Sequence, residues 1–135
     1  MTTNVPFTNV TCIKVANLRK SGIPDLRTWL EDPNNVYTGR RGRIFIDKVI
    51  FHYPGSKWQN PYKLDKYSIK ESLAFYINHL FSSGLIYDIE ELRGKNLGCF
   101  CSEQCSGGSP TCHAQVLADI LNKCSKYIPK RNKTE

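Results

Sequence analysis

The sequence predicts a small α/β protein of a single domain, in which helices flank a mostly parallel sheet and a β-hairpin is inserted. Strand-like apolar runs alternate along the chain with segments of helical periodicity, the order that is typical of parallel sheets. A length of 135 residues fits one domain. Hydrophobic residues make up 40% and charged residues 23% of the chain, a composition that is ordinary for a globular protein and too apolar for disorder.

The first half of the chain is rich in β-forming residues. Residues 10–18 predict a first strand, and residues 24–29 predict a short helical turn before the turn signal Asp32-Pro33-Asn34-Asn35. Residues 36–38 predict a second strand, which the Gly and Arg residues of 39–43 interrupt. Residues 44–53 then read as one further strand, and we expect a hairpin within residues 41–55.

The second half predicts helices around one buried strand. Ser68 and Glu71 have the spacing of a capping box, and an apolar stripe at helical spacing follows them until about Gly84. A shorter helix is expected over 87–92, a strand over 96–101, and a last helix from Ser109-Pro110. The first stripe consists of Ile69, Leu73, Tyr76, Ile77, Leu80 and Phe81, and the last helix is expected to direct Val116, Leu117, Ile120, Leu121 and Cys124 inward.

The chain termini and the net charge indicate where the protein is located and what it binds. We expect an N-terminal arm over 1–9, the α/β domain over 10–125 and a basic C-terminal tail over 126–135. The start resembles no secretory signal, and no run nears the ~20 apolar residues of a membrane span, so we expect an intracellular, cytoplasmic protein, or a virion protein if the chain is viral. The net charge of +7 predicts weak, sequence-independent binding of nucleic acid through Arg41, Arg43 and the tail lysines, unless it serves only solubility.

Reactive side chains are concentrated between the predicted strand at 96–101 and the last helix. Four of the six cysteines and one histidine fall there, and free thiols or metal ligands are more common than disulfides inside cells. Alternation on a strand puts residues two apart on one face, so a zinc site is one interpretation. Two others stay open: buried thiols that pack as small apolar groups, and a nucleophilic Cys101 or Cys112 at a helix N-terminus. The candidate zinc ligands are Cys99, Cys101, Cys112 and His113.

Two loops carry candidate ligand-binding residues. The guanidinium of Arg40 in the Gly-Arg loop suits a phosphate or carboxylate, and Lys57 adds a second cation. Trp58 or Tyr62 could stack against a ring, and Asn60 could fix its orientation. An exposed basic turn and a tryptophan that anchors its loop to the core are the alternatives.

Five motifs resemble those of the domain of unknown function 4326 family, whose members occur in bacteria, phages and large DNA viruses. The resemblance spans residues 10–122 and implies that the motifs meet in one site, but it supplies no reaction, so no catalytic residue is assigned. The stretches 41–55 and 103–111 are longer than the family's usual connections. We therefore expect a domain that binds or processes a nucleotide-like or phosphate-bearing ligand, or alternatively a non-catalytic viral structural or assembly protein with protein partners. The motifs are Val15-Ala16-Asn17-Leu18-Arg19, Val36-Tyr37-Thr38-Gly39-Arg40, Ser56-Lys57-Trp58-Gln59-Asn60-Pro61-Tyr62, Leu92-Arg93-Gly94-Lys95-Asn96-Leu97-Gly98-Cys99-Phe100-Cys101 and Cys112-His113-Ala114-Gln115-Val116-Leu117.

Overall fold

The structure is a computed structural model that describes residues 7–63, 65–100, 112–124, 126 and 128–129. It combines a parallel sheet with a separate antiparallel hairpin, and helices pack on both sheet faces. The α/β class is therefore confirmed, although the parallel sheet makes up only part of the β-structure. The described elements are β1 (Asn9–Cys12), α1 (Val15–Lys20), α2 (Leu26–Leu30), β2 (Asn35–Tyr37), β3 (Gly42–Ile46), β4 (Val49–Tyr53), α3 (Ile69–Ser82), a 3₁₀ helix (Leu85–Leu92), β5 (Asn96–Cys99) and α4 (His113–Lys123).

The parallel sheet has the strand order β1-β5-β2, so that β5 lies in its centre. Cys12 of β1 is in register with Cys99 of β5, and Tyr37 of β2 is in register with Gly98. All three strands therefore end at the same edge. Ligands of open α/β folds bind at this carboxyl edge.

Side-chain alternation along β5 separates two cores, one on each face of the sheet. Leu97 and Cys99 face the larger core, which α3, the 3₁₀ helix and α4 cover. Gly98 faces the smaller core, where a Cβ atom would come within 2.5 Å of the Trp29 ring. A glycine is needed there because the indole packs directly on the strand backbone.

The prediction of one strand over residues 10–18 is wrong in its second half, because Val15–Lys20 form α1. The amide of Asn17 donates to the carbonyl of Cys12 at 2.7 Å and so ends the strand. Leu18 is 1% exposed and its N–H donates to the carbonyl of Lys14. Burial of Leu18 and this local hydrogen bonding outweigh the β propensity of the β-branched residues.

The hairpin within residues 41–55 is confirmed, but residues 44–53 are two strands and not one. β3 and β4 pair in antiparallel register around Asp47 and Lys48, whose φ angles are 52° and 67°. Two successive left-handed residues make the tight turn that suits the twist of a hairpin. Asp-Lys carries no glycine to mark such a turn, which is why the sequence did not reveal it.

The helix predicted from the capping box is confirmed as α3, with both reciprocal hydrogen bonds of Ser68 and Glu71 present. Its buried face differs from the predicted stripe, because Ile69, Ile77 and Phe81 are exposed while Ser72 is buried. In α4, Val116, Leu117 and Leu121 are buried as expected, and Ile120 is partly buried. The predicted start at Ser109-Pro110 lies outside the described residues. The expectation for Cys124 is wrong, because this residue lies exposed just after the helix.

The described chain begins to pack before residue 10. Thr8 is buried, its backbone N–H donates to Asn122 at 2.9 Å, and its hydroxyl accepts from the N–H of Gly94 at 3.0 Å. No helix within the described ranges is long and apolar enough to cross a membrane.

Candidate functional site

A cavity of about 470 Å³ lies at the carboxyl edge of the parallel sheet. The ends of β2, β4 and β5, the start of α4, the first turns of α3 and the loop before it form its walls. This size is typical of small-molecule sites. Its described lining residues include neither aspartate nor glutamate and comprise Tyr37, Gly39, Arg40, Arg41, Tyr53, Asn60, Tyr62, Ile69, Ser72, Leu73, Cys99, Phe100, Cys112 and His113.

One wall of the cavity is aromatic. The rings of Tyr37 and Tyr53 meet edge to face with their centroids 5.2 Å apart, and Phe100 lies 6.0 Å from Tyr37 and 5.9 Å from Tyr53. The three rings come from β2, β4 and the residue that follows β5. Burial raises the pKa of Tyr37 far above its usual value, so the phenol stays protonated and can donate.

The Gly-Arg step follows β2 and brings Arg40 to the cavity. The hydroxyl of Tyr37 donates to the carbonyl of Arg40, and a Cβ atom at Gly39 would overlap that same hydroxyl. The guanidinium of Arg40 donates through Nη2 to the carbonyl of Asn60. Arginine carries further N–H donors in a fixed fork, so a guanidinium held at one corner can also bind an anion.

Asn60 and Tyr62 lie on the facing loop, which the buried hydroxyl of Ser72 holds in place. The Asn60 amide donates to Ser72 Oγ at 2.8 Å, and its Oδ1 accepts from the N–H of Tyr62 at 2.9 Å. Ser72 in turn donates to the carbonyl of Tyr62 at 2.6 Å. Asn60 therefore shapes the loop on which Arg40 is anchored.

We expect Ser72→Ala to lower the free energy of unfolding by about 1–3 kcal/mol, because it leaves the Asn60 amide and the Tyr62 carbonyl without their partner. Urea denaturation measures the change. Ser82→Ala is the matched control at an exposed site of the same helix, where we expect a change within about 0.5 kcal/mol. Equal effects of the two substitutions would contradict the role given to Ser72.

The cysteine–histidine motif lies where β5 ends and α4 begins. Cys99 and Cys112 are both buried, and their sulfur atoms are 3.7 Å apart. The Nε2 atom of His113 contacts the carbonyl of Thr38. A carbonyl can only accept, so Nε2 carries the proton and Nδ1 is the acceptor of a neutral imidazole. Burial lowers the pKa of His113 despite this hydrogen bond, which acts in the opposite direction.

The structure describes three of the four predicted zinc ligands, namely Cys99, Cys112 and His113. Two thiolates that bind one tetrahedral zinc at ~2.3 Å would be roughly 3.8 Å apart, a spacing that Cys99 and Cys112 match. Cys101 lies outside the described residues, and His113 Nε2 is engaged with Thr38. No group of three or more metal-ligating side chains occurs among the residues described, so zinc stays a prediction that metal analysis of the purified protein would test.

Lys57 and Trp58 are not among the residues that line this cavity. The ammonium of Lys57 lies 3.2 Å from Glu91 and 3.3 Å from Asp88. Partial burial by itself would lower the pKa of Lys57. The hydrogen bonds to Glu91 and Asp88 outweigh this effect, so the pKa is raised. Trp58 is 2% exposed within the larger core, the position of a loop anchor.

The start of α4 adds a partial positive charge to the cavity wall. The helix is eleven residues long, and no side-chain hydrogen bond from Cys112, its N-terminal capping residue, satisfies its first N–H groups. Such N–H groups and the helix dipole attract anions. Arg40 and the start of α4, with Cys112 and His113, thus line the same cavity.

Fold and site together define a small α/β protein with an aromatic and basic cavity at the carboxyl edge of a parallel sheet. The chain belongs to the DUF4326 family, a domain of unknown function, whose family model matches residues 24–123. It is 32% identical over 96 residues to the uncharacterized protein R718 of Acanthamoeba polyphaga mimivirus, a match that covers 69% of this chain and 71% of that protein. No solved structure matches the chain significantly.

Proposed function

We propose that the protein binds a small, nucleotide-like ligand that carries a phosphate group. The observation that carries the proposal is the meeting of the Gly-Arg step, the Asn-Pro-Tyr loop and the Cys-His start of α4 around one cavity. The cavity combines cationic donors with aromatic rings, and its described lining contains no acidic side chain. Anions with an attached ring suit such a lining.

The phosphate binds between the Arg40 guanidinium and the first N–H groups of α4. A guanidinium fork and a helix N-terminus both match the oxygen atoms of a phosphate. The ring of the ligand lies against the wall that Tyr37, Tyr53 and Phe100 form. Lys57 contributes little to this site because its charge is paired with Glu91 and Asp88.

The cavity lining also includes side chains that a reaction on the ligand would need. A neutral imidazole such as that of His113 can accept a proton, and the buried thiols of Cys99 and Cys112 are candidate nucleophiles or metal ligands. Binding is the step that the cavity supports best. Processing of the ligand is the finer proposal, which depends on whether either thiol reacts.

A thermal-shift screen of inorganic phosphate, nucleoside monophosphates and nucleoside diphosphates tests the proposal. A ligand at about a hundred times its Kd should stabilise the fold by roughly 2.7 kcal/mol, a rise in Tm of roughly 10 °C for a chain of this size. The unphosphorylated nucleosides are the matched controls and should give much smaller shifts. Equal Tm values with and without every phosphate compound would overturn the proposal.

A second candidate function is that of an interaction protein, such as a viral structural or assembly component. The observation that favours it is an apolar pair near the tip of the hairpin, where Phe45 and Ile50 lie opposite each other and are both exposed. Exposed apolar clusters often mark protein contacts. If no compound in the screen binds, this function becomes the better account, and substitutions at Phe45 and Ile50 should then weaken contacts with the partner.

A further inference from the structure

A second, more open cavity of about 740 Å³ adjoins the first one. Arg41 and Tyr53 line both cavities, so the two share part of their walls. The second cavity lies along the open end of the hairpin, where β3 begins and β4 ends.

The second cavity is basic on its strand side. Arg43 is paired in register with His52 across the hairpin, and residues paired in this way have their side chains on the same face. Arg41 lies just before β3 and also lines the second cavity. All three side chains are exposed. As in the first cavity, the described lining has no acidic side chain.

We propose that the two cavities form one groove for single-stranded nucleic acid. The end nucleotide occupies the first cavity, and the phosphates that follow it lie along Arg41 and Arg43. This proposal rests on the proposed function, because the end nucleotide is the nucleotide-like ligand of that site. It adds that the natural ligand is a polymer and not a free mononucleotide.

The chemistry of the groove favours an unpaired strand. Single strands are bound by a basic track that follows the backbone, combined with aromatic side chains that stack on bases. A base reaches the wall of Tyr37, Tyr53 and Phe100 only when it is not paired within a duplex. An acidic peptide would satisfy Arg41 and Arg43, but only one that also carries an aromatic side chain would place a ring against the aromatic wall.

Fluorescence anisotropy with oligonucleotides tests the proposal. The probes are octamers of deoxythymidine and of uridine, labelled at the 5′ end in one set and at the 3′ end in another, with the matching mononucleotides as competitors. We expect an octamer to bind roughly tenfold or more tightly than its mononucleotide at low salt, and its affinity to fall as salt is raised.

Arg43→Ala distinguishes the contribution of the second cavity to binding from that of the first, because Arg43 lines only the second cavity. It should weaken octamer binding and lower the slope of log affinity against log salt by roughly 0.7–1, while mononucleotide binding stays unchanged. Arg27→Ala is the charge-matched control, because Arg27 lies exposed on α2 and lines neither cavity. It should alter neither affinity nor slope.

Three results would overturn the proposal in distinguishable ways. If the octamer binds no more tightly than the mononucleotide and Arg43→Ala has no effect, the groove ends at the first cavity and the proposed function stands. If duplex DNA or polyglutamate competes as well as the single strand, the binding is charge attraction alone. If neither mononucleotide nor octamer binds, the proposed function fails as well.

Discussion

Trp58→Ala should lower the free energy of unfolding by about 3–5 kcal/mol, the largest stability effect that we expect from a single substitution in the loop before α3. The indole is 2% exposed and packs in the larger core. The hydroxyl of the buried Tyr76 donates to the Trp58 carbonyl at 2.6 Å, and the indole N–H donates to Glu91 at 3.3 Å. Loss of the ring leaves a cavity where α3, the 3₁₀ helix and the loop meet.

Urea or thermal denaturation measures this effect, and we expect Tm to fall by roughly 10–20 °C. Trp58→Phe is the comparison variant, because it keeps an aromatic ring and removes the hydrogen bond to Glu91. It should destabilise the protein much less. If Trp58→Ala instead leaves Tm unchanged and abolishes ligand binding, the ring belongs to the ligand site and the anchor role is wrong.

The sequence predicts those elements that have a strong local signal. Ser68 and Glu71 identify the start of α3 because each satisfies a backbone donor of the other residue. Residues 15–18 have no such signal. Their helix depends on the contact of Asn17 with Cys12 and on the burial of Leu18, which only the folded chain provides.

The sequence also locates most motifs of the candidate site, because chain segments that follow parallel strands meet at one edge of the sheet. Arg40, Cys99 and His113 are brought together for this reason. The roles within the loop that carries Lys57 and Trp58 could not be read in the same way. Which of its side chains face the core depends on contacts with Tyr76 and Glu91, which are distant in sequence.

Several cavity residues were missed by sequence reasoning. Tyr37, Tyr53 and Phe100 look like ordinary strand residues, and only the packing of the hairpin beside the sheet brings their rings together. Ser72 did leave a signal: it lies one helical turn before Tyr76, as a polar residue on the face that α3 buries. A serine at such a position must find a partner, and here it holds the Asn60 loop.

Arg40→Ala should cause the largest loss of ligand affinity. A hydrogen bond to a charged group contributes about 1.5–3 kcal/mol, so we expect the Kd of a phosphate-bearing ligand to rise by roughly ten- to a hundredfold. Stability should change little, because Arg40 is exposed and its hydrogen bond to Asn60 lies at the surface. Arg40→Lys should recover only part of the affinity, since lysine keeps the charge but lacks the planar fork.

Isothermal titration of the best nucleoside phosphate from the screen into wild-type, Arg40→Ala and Arg43→Ala protein tests the central claim most directly. Arg43→Ala also removes one positive charge, but Arg43 lies on the hairpin and does not line the first cavity. We expect Kd to rise at least about tenfold for Arg40→Ala and to stay at the wild-type value for Arg43→Ala. Equal Kd values for wild-type and Arg40→Ala protein would contradict the claim that the cavity at the carboxyl edge of the sheet is the ligand site.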